Sequence, residues 1–232
     1  RIDDEAVDLH FFQHLRKLRK VAGKQRKTPN RLLHHLKGLI DDSTSHILRV
    51  ALTDDSDSNL IQSNDLKGNT TYGFFASVNA NSNAIDNNIA NGNSTGFFIS
   101  SPIGNSTGNL FQNNTAAANS DGIHISGGGS TGNTVKSNTI ASTANRGILI
   151  NSANSNNVSK NTVTGTTNEG IFLNSASSCR VDENTVQTSG VGIRINSASG
   201  NRVFHNVIQS STLAGLRIGA NSNIVDQNDI SG

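Results

Sequence analysis

The chain has no methionine and no tryptophan, and only one tyrosine and one cysteine in 232 residues. A single thiol, Cys179, excludes an intrachain disulfide framework and a cysteine-rich zinc site. Hydrophobic residues make up only 33% of the sequence, too few to fill the core of a round globule. No signal peptide and no run long enough for a membrane span is visible. An Arg at position 1 and the missing methionine lead us to expect a processed product or a fragment.

Asn, Ser, Thr and Gly dominate from Asp57 onward, a composition that ordinarily leaves a chain disordered because little apolar surface offsets its entropy. Repetition provides another outcome, since a solenoid stacks thin apolar layers into one continuous core. An aliphatic or aromatic residue followed three places later by Asn recurs eight times: Ile61/Asn64, Ile85/Asn88, Phe111/Asn114, Val135/Asn138, Val158/Asn161, Val181/Asn184, Val203/Asn206 and Val225/Asn228. A second pattern, Gly followed by apolar residues at the first and usually third place, starts at Gly73, Gly96, Gly122, Gly147, Gly170, Gly192 and Gly215. Stretches such as GILI (147–150) and GIRI (192–195) read as strands with alternate residues inward. Each Gly is expected to mark a tight bend leading into a strand.

If each Asn occupies the same turn of successive coils, ~4.8 Å apart, its amide can bond to its counterparts above and below and to turn backbone. The Asn column is therefore read as a structural ladder. From about Asn59 to Gly232 the chain is expected to be an all-β, right-handed parallel β-helix of about eight coils, with ladder positions 22 to 26 residues apart. The domain boundaries that follow are 1–56 for a distinct first segment and 57–232 for the solenoid.

These columns resemble the parallel β-helix repeats of the pectate-lyase-like superfamily and of carbohydrate-binding and sugar-hydrolase repeat domains, over about three quarters of the chain. For activity the resemblance implies only the breadth of that superfamily, which includes lyases, hydrolases, epimerases, tailspikes and adhesins; fold does not fix function. It implies a polysaccharide or cell-surface glycan as partner and a secreted or cell-surface location.

Residues 1–56 differ from the rest. Val7, Phe11, Leu15, Leu18 and Ala22 share one helical face, and Leu32, Leu33, Leu36, Leu39 and Ile40 repeat the spacing, so two short amphipathic helices are expected. Arg16–Lys37 holds nine basic residues and no acidic one, whereas residues 58–232 hold eight of each sign. The helices are expected to cap the solenoid or form a basic arm, with nucleic acid the less favoured partner. The final residues follow the eighth Asn turn directly, so either truncation or a partner at that end is expected.

Because coils superpose, a site has to be read across columns. The outward strand column is Phe75, Phe98, His124, Leu149, Phe172, Arg194 and Arg217, and the residue before each Gly gives Tyr72, Thr95, Asp121, Arg146, Glu169, Val191 and Ala214. Outward phenylalanines fit either a sugar-stacking platform or a protein-covered face. The sugar-binding candidates are Phe75, Phe98, Phe172, Arg194 and Arg217. A uronate lyase or epimerase needs a cation for the carboxylate and a base for the C5 proton, which makes Arg194 and His124 the candidates.

A glycoside hydrolase needs two carboxyls about 5 to 9.5 Å apart. Asp121 and Glu169, two coils apart, are the candidates, although Arg146 between them explains both by charge attraction. No cofactor is expected, with calcium the one alternative left open: it would require converging oxygens, and the adjacent Asp182 and Glu183 point different ways. His10/His14 and His34-His35 lack a third zinc partner. The expected function is polysaccharide binding, with processing an open question. The alternative is a non-enzymatic scaffold that oligomerises through its Phe-lined face or its uncapped end.

Overall fold

The computed structural model describes residues 50–53 and 55–232. The two helices expected before residue 41, with the histidines they carry, lie outside the described residues.

The chain winds as a right-handed parallel β-helix in which every strand pairs in parallel with its counterpart in the next coil. Face one is an eight-stranded sheet running from Leu60–Gln62 to Ile224–Asp226. It contains the residues that flank each ladder aliphatic. Face two follows the Asn turn and includes Thr115–Ala117, Thr139–Ala141, Val207–Gln209 and Asp229–Ser231. Face three carries Val50–Leu52, Tyr72–Ser77, Thr95–Ser100, Asp121–Ser126, Arg146–Asn151 and Ala214–Gly219. Two long strands, Thr162–Asn174 and Thr185–Asn196, run around the corner and join faces two and three into a twelve-stranded sheet.

The core is a stack of inward lanes. Val135, Val158, Val181 and Val203 from face one, Ile140, Val163, Val186 and Ile208 from face two, and Ile148, Ile171 and Ile193 from face three are all fully buried. Bulk is shared differently in earlier coils. There Phe74, Phe97 and Phe111 fill the interior, with Phe74 and Phe111 edge to face at 5.6 Å, while face two supplies Leu66 and then, in the coils of Phe97 and Phe111, only Ala90 and Ala116. Large residues opposite small ones hold each layer near the same volume, the condition under which cores tolerate sequence change.

The corner between faces one and two is the Asn ladder. Asn64 opens the described part of it, donating from its backbone N–H and from Nδ2 to Asn88 Oδ1 at 3.0 and 2.9 Å. Asn88 donates in the same two ways to Asn114 Oδ1 at 2.9 and 3.1 Å, and Asn114 to Asn138 Oδ1 at 2.9 and 3.0 Å. Asn161 accepts at Oδ1 from the backbone N–H and the side-chain amide of Asn138, each at 3.0 Å. Its own N–H and Nδ2 donate to Asn184 Oδ1 at 2.9 Å, and Nδ2 also reaches Val135 O at 2.9 Å. Asn184 continues to Asn206 Oδ1, and Asn206 to Asn228 Oδ1 at 3.0 and 2.9 Å.

The two end rungs differ from the rest. Asn64 and Asn228 are half-buried, whereas the six between them are buried. Asn228, with no following rung, gives its Nδ2 to Val203 O and Asp226 O. A buried polar side chain is costly unless it is paired, and at an inner rung such as Asn161 every position of the amide is used.

A second, parallel ladder lies five residues earlier, at Asn59, Asn83, Asn109, Asn133, Asn156, Asn201 and Asn223, with Cys179 in the slot between Asn156 and Asn201. It closes the corner between faces three and one. A shorter ladder, Asn69, Asn93 and Asn119, lines the third corner. From Thr143 onward that corner carries Thr166 and Ser189 instead, buried hydroxyls in place of amides.

The Gly column is required for a reason other than the expected bend. None of its members has a left-handed φ. What excludes a side chain is the next coil: a Cβ on Gly170 would lie 2.3 Å from Val186 Cγ1 and 2.6 Å from Gly192 O. The left-handed turn is made elsewhere, by the residue before each ladder Asn. Ser63, Asn87, Asn113, Ser137, Lys160, Glu183, His205 and Gln227 all have φ between 50° and 58°. L-residues adopt this conformation at a cost, which the paired amide beside it offsets.

Asn161→Ala removes one rung and leaves buried partners on both neighbouring coils unpaired, so urea denaturation should show a loss of about 3 kcal/mol or more. Gly170→Ala should cost about 1–3 kcal/mol by overpacking, whereas its φ, outside the left-handed region, would by itself predict no loss.

Candidate functional site

Face three presents its two outward lanes in the register expected. Phe75 pairs with Phe98, Phe98 with His124, His124 with Leu149, Leu149 with Phe172, Phe172 with Arg194, and Arg194 with Arg217. In the adjacent lane Tyr72 pairs with Thr95, Thr95 with Asp121, and Asp121 with Arg146. Residues three apart would fall on opposite sides of a strictly alternating strand, but the Gly and the residue after it are both buried, so alternation slips by one there and Tyr72 stacks on Phe75. Both lanes share one side of the sheet, and the face divides into two chemically distinct halves.

The first half is aromatic. Tyr72 stacks on Phe75 with centroids 5.2 Å apart and lies 4.8 Å from Phe98; Phe98 in turn lies 4.7 Å from the imidazole of His124. Tyr72, Phe75 and Phe98 are only half-buried, so the row offers apolar ring surface to a ligand. Burial pushes the His124 pKa down to about 4, and the positive Arg146 adds to the effect. The ring is therefore neutral at physiological pH. Its Nε2 is buried and makes no hydrogen bond within the protein.

The second half is an ion-pair chain built around Phe172. Arg146 approaches Asp121 at 3.7 Å and Glu169 at 3.4 Å, and Arg194 bonds Glu169 at 2.8 Å. Both oxygens of Glu169 thus face guanidinium groups. Burial raises the Asp121 pKa, with Arg146 acting in the opposite direction. The two guanidiniums also lie over Phe172, 5.7 Å and 4.9 Å from its centroid. Cation–π contacts of this kind hold such groups in place.

Among the sequence candidates, Phe75 and Phe98 come together with Tyr72, which the sequence places only in the neighbouring lane. Phe172 is only 7% exposed, so the arginines, not a ligand, occupy its surroundings. Asp121 and Glu169 are bridged by Arg146, leaving no gap of bare carboxylates. Arg217 is exposed and extends the lane beyond Arg194. His124 and Arg194 are three rungs apart in the paired register, which puts them ~14 Å apart along the stack. Asp182 lies on face one, where it pairs with Arg180 at 2.9 Å, while Glu183 turns away toward Lys160 at 3.5 Å.

The ladder residues Asn64, Asn88, Asn114, Asn138, Asn161, Asn184, Asn206 and Asn228 stand at the corner between faces one and two, away from these lanes. Their amides are spent on one another and on turn carbonyls. They therefore add no free group to face three.

A family profile described as "Periplasmic copper-binding protein (NosD)" matches residues 102–232. Among solved structures, the periplasmic alginate epimerase AlgG superposes with a TM-score of 0.72 at 18% identity, covering 78% of this chain and 46% of that one. The Azotobacter vinelandii mannuronan C-5 epimerase AlgE4 A-module gives 0.69 at 17% identity, covering 78% and 55%. No curated protein sequence matches. The chain spans about half the length of these two epimerases, and likeness at this identity is a likeness of fold.

Among the described residues the donor set does not fit the copper of the family description. The chain has no methionine and one cysteine, and among the described residues no group of three or more His, Cys, Asp or Glu converges.

The neutral state of His124 gives a pH signature. The unfolded chain protonates this ring near 6.5 and the folded chain only near 4. Between those values the unfolded state binds more protons, so stability falls as pH is lowered through the window. The loss is about 2–3 kcal/mol after discounting for partial exposure. Thermal melts of wild type and His124→Gln between pH 7 and pH 4 should show a shallower acid slope in the variant; parallel slopes would contradict the assignment.

Proposed function

The chain belongs to the NosD family, and on that premise we propose that it is an extracytoplasmic β-helix protein that binds polysaccharide along face three. The observation that carries the proposal is the half-exposed aromatic row of Tyr72, Phe75 and Phe98 beside arginines in the same pair of lanes. Pyranose rings present apolar C–H faces that pack on aromatic rings, and a few well-placed polar groups then set orientation. The exposed Arg217 supplies positive charge at the other end, which favours a carboxylate-bearing chain over a neutral one. The family description and the AlgG neighbour both carry the word periplasmic, in keeping with a location outside the cytoplasm.

Binding has more support than turnover. Proton abstraction from a uronate needs a base and a carboxylate-neutralising cation on the same sugar. His124 is neutral and has an unengaged nitrogen, but Arg194 is three rungs away and committed to Glu169. Arg146 is nearer, yet it is held between two carboxylates.

Calorimetry with polymannuronate, polygalacturonate and a neutral glucan tests the reading, with Phe98→Ser and Arg217→Ala as variants. Acidic chains should bind preferentially, and Phe98→Ser should weaken them about tenfold, equivalent to about 1.4 kcal/mol. The same samples are assayed for unsaturated or epimerised products, whose appearance would add catalysis to binding. Absence of binding to every glycan, with light scattering showing an oligomer that Phe98→Ser dissociates, would replace this reading with a scaffold.

A further inference from the structure

The family description names copper, and residues 102–232 are the part of the chain that matches it. We infer that the β-helix itself is not a copper-binding element, and that Cys179, the chain's one thiol, is a ladder residue in an Asn slot.

Copper is held by thiolate, thioether or imidazole donors that converge on one point. Thioether is absent from the whole sequence. The two described imidazoles are on different faces: His124 lies under Phe98 on face three, and His205 makes its contact with Gln227 at the corner beyond face one. Counting paired strands, four rungs separate their coils, ~19 Å along the axis. Carboxylates near His124 are already bonded to Arg146 and Arg194.

The thiol is occupied in another way. Cys179 is 2% exposed, and its backbone N–H donates to Asn201 Oδ1 at 2.8 Å as a ladder Asn would. Its Sγ lies 3.6 Å from Ala153 O. That carbonyl is the counterpart of Ala198 O, which accepts from Asn223 Nδ2 at 2.9 Å. Sulfur therefore stands where a ladder amide stands in the other coils. Burial also raises the thiol's pKa, which disfavours the thiolate that a metal requires.

What the family profile recognises in 102–232 is then the coil itself: the Asn, Val/Ile and Gly columns that any stack of this type needs. A copper-handling role described for the family does not travel with those columns.

Cys179→Asn tests the structural half. An amide at this slot can accept from the rung below and donate to Ala153 O, so the melting temperature should rise by roughly 2–4 °C for each kcal/mol gained. A fall would overturn the ladder assignment. Copper uptake by the full-length chain tests the other half, with Cu(II) and, under reducing conditions, Cu(I), measured by metal analysis after gel filtration. Cys179→Asn, His124→Gln and His205→Gln, singly and combined, should leave bound copper per chain at the wild-type level, whether that level is zero or not.

Reduced uptake in any folded variant would overturn the inference. A readout on the wild type alone guards against misfolding of the combined variant: native Cys179 should react with a thiol reagent at the same slow rate with and without copper. Protection by copper would place the metal on the thiol.

Discussion

Everything in this solenoid depends on the saturation of its corners. A coil must turn three times, and at each turn backbone groups point into a dry interior where an unpaired donor or acceptor is expensive. The Asn amide meets that demand because it donates and accepts at one site and repeats at the coil spacing. With the corners satisfied in this way, only a few aliphatics per coil are needed inside, so a chain with 33% hydrophobic residues still folds around a continuous core. The left-handed residue preceding each rung is held by the same hydrogen bonds.

The first ladder, from Asn64 to Asn228, the inward aliphatics and the outward lanes of face three are legible in the sequence because each is a column of like residues at coil spacing. The second ladder is equally regular, five residues earlier, but its fixed-offset apolar residue, two places on, is the same column that marks the first ladder. Cys179 also interrupts it, and one unlike residue in eight is enough to hide a column. The left-handed corner has no compositional signal, since Ser, Asn, Lys, Glu, His and Gln all occupy it. The Gly column is visible in the sequence, but its cause is not: the constraint is a carbonyl and a valine methyl one coil away, a relation that exists only after stacking.

The outer face shows a different limit. Sequence places Asp121, Arg146 and Glu169 in one lane, but it does not say that Arg146 bridges both carboxylates or that Phe172 lies beneath two guanidiniums. Those arrangements depend on long side chains reaching across lanes. They decide which residues remain available: the aromatic row is open, while much of the charge is spent internally. Similarity of winding to the alginate epimerases is a likeness of fold, and function resides in the side chains placed on that frame.

The ladders have an electrical consequence. In both long columns the side-chain oxygen of each rung faces the coil before it and receives hydrogen bonds from that coil. Sheet backbones contribute little net dipole because strand dipoles largely cancel, but amide side chains oriented alike do not cancel. The solenoid therefore has an electric axis, with its positive end toward the later coils. The exposed Arg217 lies toward that same end, so an anionic chain laid along face three would meet the side-chain dipoles and this guanidinium with the same polarity.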